Sequence, residues 1–193
     1  MIEWIALAGA AYGIYNWLTG DSDSEKGSDS SSSRGGSGGS NYFVGSGSSV
    51  NFGGYKFRFV EAIEIDPDEE YSYADYEVGG PRNEYGNKRY CTFSLPGLPS
   101  SSGVYLWVRC GVVEYIGKTN NFRERFSHTG YGHISPYNCR KGGQTTNCKM
   151  NSAVVDIYPD QFWIYIHETE DYSRVETELL RKYPNTHYNK QIP

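Results

Sequence analysis

The hydrophobic pattern divides the chain into stretches of different character. An apolar run extends from Trp4 to Leu18, broken only by Asn16. As a helix it would span roughly 22 Å, short of the about 20 residues that a bilayer core asks for. Trp4 and Trp17 sit near its ends, as interfacial anchors would, and Gly9-x-x-x-Gly13 would admit a close partner helix. No Lys or Arg precedes it, so it lacks the basic start of a secretory signal. Residues 2–18 therefore read either as a membrane anchor, spanning or interfacial, or as a hydrophobic docking helix. If the run spans, Lys26 and Arg34 mark the side behind it as cytoplasmic.

A tether follows, with 9 Ser and 6 Gly among the 21 residues from Gly20 to Ser40. Such a stretch cannot bury enough apolar surface to order itself. Within Phe52 to Ile65, Tyr55, Phe57 and Phe59 alternate with Lys56 and Arg58, the period of a strand. Asp66 to Tyr85 is acidic and rich in tyrosine, with Pro67 and Gly79-Gly80-Pro81 as breakers. It reads as a solvated extension packed on the main domain.

From Gly103 the pattern is regular. Strands are predicted over 104–108 and 112–116, joined by a tight hairpin at Arg109-Cys110-Gly111. Asn120 or Asn121 caps a helix that carries Phe122 and Phe126 on one face. Residues 130–144 read as loop, 150–158 as a second helix and 162–167 as a third strand. A last helix opens on a capping-box pattern, Ser173 and Glu176, and stops before Pro184. The chain thus divides into a hydrophobic helix (1–19), a flexible linker (20–50), an acidic extension (51–94) and a folded domain (95–193).

Composition refines this picture. Apolar residues make up 37 % and charged residues 21 %, a globular mixture rather than a multi-span membrane protein. The net charge of −5 excludes a uniformly basic nucleic-acid binder. Residues 1–102 hold 7 Lys/Arg against 14 Asp/Glu, and residues 103–193 hold 11 against 9. The second part therefore suits a polyanion better than the whole chain does. The cysteines at 91, 110, 139 and 148 form no C-x-x-C pair. His133, Cys139 and Cys148 could join in a metal site but match no strong zinc spacing, and the plain reading of the cysteines is buried or free thiols in a reducing compartment.

Chemistry concentrates on two helices. Tyr172, Glu176, Leu179, Leu180 and Tyr183 share one helical face, which sets a carboxylate in an apolar stripe. That carboxylate must be paired or bind a cation, and a salt bridge to a buried Arg is the purely structural answer. Asn121, Arg125 and His128 align on the first helix, and a guanidinium suits a phosphate through its planar fork. Arg140 and Lys141, in a loop with Gly142-Gly143, suit either a DNA contact or an ordinary solvated loop. Asn147 and Lys149 follow in the same polar stretch.

Gly103-Val104-Tyr105, Tyr115-Ile116-Gly117, Arg125, Glu176 and the closing Tyr188-Asn189 together resemble a GIY-YIG nuclease domain. The resemblance covers about residues 95–193. Gly13-Ile14-Tyr15 spells the first motif literally but lies about a hundred residues from Tyr115, too far for a hairpin. Relatives often carry His or Tyr four residues after the arginine; here Thr129 stands there, with His128 or His133 as substitutes.

The resemblance implies an α/β (α+β) fold, a small three-stranded antiparallel sheet flanked by helices. It implies hydrolysis of DNA phosphodiesters with Mg²⁺ or Mn²⁺ and no small-molecule cofactor. Glu176 would be the metal's single protein carboxylate, Arg125 would contact the phosphate, and Tyr105 or Tyr115 would accept the water's proton. A phenol, with a pKa of about 10, needs a nearby cation to do so, and Lys118 and the metal are at hand. Asn189 would orient a water or the surroundings of Glu176. Gly117 would let the chain turn from strand to helix.

The leading expectation is a DNA endonuclease in the cytoplasm, tethered to the inner membrane if residues 2–18 engage lipid. The alternatives are a non-catalytic nucleic-acid-binding module and an exported antibacterial DNase.

Overall fold

A computed structural model describes residues 42–45 and 47–189. The N-terminal apolar run, with its Gly13-Ile14-Tyr15, and most of the linker lie outside them. Among the described residues no helix is long and apolar enough to cross a membrane.

The described residues form seven strands: β1 (Ser49–Phe52), β2 (Tyr55–Ala62), β3 (Tyr71–Ser72), β4 (Arg89–Tyr90), β5 (Gly103–Arg109), β6 (Val112–Thr119) and β7 (Trp163–Glu168). The helices are α1 (Phe122–Arg125), α2 (Thr145–Ile157) and α3 (Tyr172–Lys182). Five strands make one antiparallel sheet in the order β1-β2-β7-β5-β6, and β3 pairs with β4 apart from it. This corrects the expected small three-stranded sheet flanked by helices. The expected hairpin and third strand are three of five, and β1 and β2 extend the sheet beyond β7. The reason is the alternating Tyr55–Phe59 segment, which buries Phe57 and pairs with β7 from Arg58 to Ala62.

Local signals govern the turns. Cys110 and Gly111 both adopt positive φ, 50° and 77°, and close the β5–β6 hairpin in two residues. Asn121 caps α1, its side chain accepting from the Glu124 N–H at 3.2 Å. The capping box at Ser173 does not form. Asp171 precedes α3, no side chain caps it, and Ser173 lies inside the helix.

Two cores lie on opposite faces of the sheet. Tyr105 and Trp107 point to one, with Phe122, Phe126, Tyr131 and Met150. Val104, Leu106 and Val108 point to the other, where α3 packs Val175 and Leu179. Helix α2 is fixed by asparagines: Asn151 bonds the backbone of Cys91 and Tyr131, and Asn147 donates to the Gly130 carbonyl at 2.9 Å.

A bulge sets the site. Tyr115 lies opposite Trp107 and Val113 opposite Val108, so Glu114 is an extra residue. Strict alternation would put Val113 and Tyr115 on the same face. The bulge instead leaves Val113 in the α3 core and turns Tyr115 toward the Tyr105 core. Glu114 itself pairs with Arg109 at 3.1 Å.

Candidate phosphate site at the edge strand

Arg125 closes α1 and turns its guanidinium under two phenols. Its Nε donates to the Tyr105 hydroxyl at 3.2 Å and its Nη2 to the Tyr131 hydroxyl at 2.9 Å. The two hydroxyls bond each other at 2.8 Å, and the guanidinium lies 4.2 Å from the centre of the Tyr131 ring. Burial opposes the Arg125 charge, but the oxygens of Tyr105 and Tyr131 outweigh it and raise its pKa. Among the described residues no carboxylate lies within ion-pair distance of Arg125. Among the described residues its Nη1 has no protein acceptor and is not a buried atom, so it opens to solvent. A largely buried cation without a counter-ion is prepared for an anion.

Tyr131 escaped the sequence reading. It is fully buried, and its N–H donates to the Arg125 carbonyl at 2.8 Å. Its flanking glycines were the available signal. A Cβ on Gly130 would collide with the Arg125 carbonyl, and one on Gly132 with that of Phe93. The chain folds back beneath Arg125 because neither carries a side chain.

Tyr115 stands beside this cluster, its ring centroid 6.2 Å from that of Tyr105. Burial raises its pKa and Tyr105 adds to the rise; a hydrogen bond from Tyr131 and the charge of Arg125 pull against it, and Glu176 pushes it up again. The net shift is upward, opposite to that of a ready base. The expected helper, Lys118, is engaged elsewhere, with its Nζ 2.9 Å from Glu176 Oε2.

That pair lies across the sheet. Tyr105 pairs with Gly117 and Val104 with Lys118, so Lys118 shares the α3 face while both tyrosines share the other. Glu176 touches neither tyrosine and reaches Tyr115 only through its field. The carboxylate is paired, as its apolar stripe demanded, but with Lys118 and not with a buried Arg. The β6 strand ends the sheet, so the two halves flank one edge.

Asn189 and Gly117 have roles other than those expected. Asn189 Oδ1 accepts from the Ile116 N–H and its Nδ2 donates to the Ile116 carbonyl, both at 2.8 Å. Thr186 also donates to Asn189. Asn189 thus acts as a strand partner for the β6 edge. Gly117 is inside β6, not at a turn, and a Cβ there would stand 2.5 Å from Tyr105 Cζ.

The remaining candidates lie apart from these contacts. His128 is exposed and meets the ring of His133, which bonds Tyr71 through Nδ1 at 3.1 Å. Neither histidine contacts Arg125 or the site tyrosines. The Arg140 guanidinium lies 5.4 Å from the centre of the Tyr137 ring, and Lys141 is exposed, its N–H bonded to the Pro81 carbonyl. Asn147 and Lys149 belong to α2 and not to a loop. Lys149 donates to the Tyr188 carbonyl. Cys91, Cys139 and Cys148 are buried thiols and Cys110 is an exposed one.

A cleft of about 270 Å³ opens beside Tyr115 and Asn189. Glu84, Tyr85, Thr145, Thr146, Lys149 and Tyr188 complete its walls.

Among the described residues no three His, Cys, Asp or Glu side chains group as a metal cage. Glu176 still fits a single-carboxylate site. Its Oε2 is held by Lys118, and its Oε1 has no protein donor among the described residues. Mg²⁺ bound through one carboxylate, waters and a substrate phosphate needs no more.

No family model, curated protein or solved structure matches this chain.

Proposed function

We propose that this protein binds a DNA phosphodiester at the β6 edge and hydrolyses it with Mg²⁺ or Mn²⁺, as the resemblance to GIY-YIG nucleases implies. The observation that carries the reading is Arg125, a guanidinium enclosed by phenols with no carboxylate on it and one nitrogen open to solvent. Such a donor stabilises the charge that gathers on a phosphate under attack. Tyr105 and Tyr131 fix its plane, so little reorganisation is needed. Tyr115 holds the attacking water by its hydroxyl and takes the proton once its own has left. Lys118 holds Glu176 in place from the opposite face. A bound divalent ion would polarise the phosphate and acidify water.

The Lys118–Glu176 ion pair also favours a second reading, a module that binds nucleic acid without cutting it, because the carboxylate already has a partner.

The test is conversion of supercoiled plasmid by the full chain with Mg²⁺, Mn²⁺ or chelator. Wild type should nick the plasmid only with metal. Arg125→Ala and Glu176→Gln should each lose about 10²-fold or more, the scale of one lost charge-stabilising group. Retained DNA binding with no cleavage under either metal would establish the second reading. Equal nicking by wild type and Arg125→Ala would remove the first.

A further inference from the structure

Resting on that reading, we infer that the cleft beside Tyr115 receives an unstacked nucleobase, so that the substrate is single-stranded or locally unpaired DNA. Three tyrosines from separate segments wall the cleft: Tyr85, Tyr115 and Tyr188. Aromatic faces bind bases with little regard to sequence, because every base offers a π-face. In a duplex those faces are covered by neighbouring pairs, and only a base out of the stack presents them.

Size agrees with this occupant. A cleft of about 270 Å³ lies just below the range of drug-sized ligand sites, about 300–1,000 Å³, and admits one base rather than a base pair. Position agrees as well. Tyr115 is both a wall of the cleft and a neighbour of the Arg125 cluster. A nucleotide whose phosphate meets Arg125 therefore has the cleft within reach of its base.

The polar walls suit the backbone of such a strand. Lys149 extends from α2 beside Thr145 and Thr146, whose hydroxyls meet no protein partner among the described residues. Those two hydroxyls are donors of the kind that commonly hold a phosphate or sugar, while Lys149 already donates to the Tyr188 carbonyl and Glu84 adds a carboxylate to the same wall. Charge points the same way. A chain of net charge −5 gains little from the dense phosphates of a duplex, and single strands depend less on phosphate neutralisation. Stacking supplies what charge does not.

Fluorescence anisotropy of the full chain in chelator tests this without cleavage. The probes are labelled oligothymidylate and the blunt duplex it forms with its complement. The single strand should bind about tenfold or more tightly than the duplex. Tyr85→Ala should weaken single-strand binding about five- to a hundredfold and leave duplex binding within about twofold, while Tyr85→Phe keeps both. Arg125→Ala should weaken both probes. Duplex binding as tight as single-strand binding would overturn the cleft assignment. So would an unaltered single-strand affinity in Tyr85→Ala alongside a loss in Arg125→Ala, with the phosphate site still standing. If wild type bound neither probe, the cleft assignment and the nuclease reading would fall together.

Discussion

Tyr105 fills the volume that a side chain on Gly117 would need. The two residues face each other across β5 and β6, and a Cβ on Gly117 would lie 2.5 Å from both Cζ and Oη of Tyr105. The Tyr105 ring cannot yield easily, since it is fully buried and bonded to Tyr131 and Arg125. Gly117→Ala should therefore cost about 1–3 kcal/mol, as overpacking does, and should lower the proposed phosphodiester cleavage by displacing the Arg125 partner. Urea denaturation and plasmid nicking would show both. A variant as stable and active as wild type would refute the packing account.

Asn189 substitutes for a missing strand. Its amide satisfies both backbone groups of Ile116 at the sheet edge. Asn189→Ala leaves a donor and an acceptor there unpaired and should cost about 1–3 kcal/mol. Asn189→Asp keeps only the acceptor and should fall between the two. Hydrogen exchange at Ile116 should rise in Asn189→Ala, and unchanged protection would contradict the assignment.

If the chain cleaves phosphodiesters as proposed, the raised pKa of Tyr115 gives that cleavage a pH signature. Burial and Tyr105 hold its proton on into more alkaline solution than a free phenol, with its pKa of about 10, would keep it. If its ionised form takes the water's proton, the rate should climb with pH through the alkaline range with no plateau near 10. Tyr115→Phe should abolish that climb. A flat profile above neutrality in wild type would assign the proton to another group.

Glu168 ties β7 to β2 and to the residues before β5. It accepts from Arg58 at 2.9 Å and from Ser101 at 2.6 Å. The Ser101 bond, then Arg58, lower its pKa. A carboxylate with a depressed folded pKa adds stability above its unfolded pKa and loses it as pH falls through the folded one. Both ion-pair partners are roughly half exposed, so Glu168→Gln should cost no more than about 1 kcal/mol at pH 7. The difference from wild type should vanish in strong acid. A gap that persisted there would show that packing, not charge, is lost.

The sequence by itself determined most of the strands, the hairpin turn and the order of the site residues. Alternation marked β2, short apolar runs marked β5, β6 and β7, Arg109-Cys110-Gly111 marked the hairpin, and Asn120 or Asn121 marked the start of α1. These follow from neighbours a few residues apart, where backbone geometry is decided locally. Arg125, Tyr105 and Tyr115 were legible as a set because their spacing on a hairpin and the next helix is short.

Only the tertiary structure decided which faces meet. The bulge at Glu114 reverses the facing of Tyr115 relative to Val113, and a one-residue change of register moves a side chain through the sheet. That places Lys118 with Glu176 and leaves the tyrosines on the other side. Tyr131 beneath Arg125, Asn189 on Ile116 and β2 against β7 join segments far apart in sequence. Such contacts depend on pairing registers that no local pattern encodes, since periodicity fixes which residues share a face but not what that face will touch.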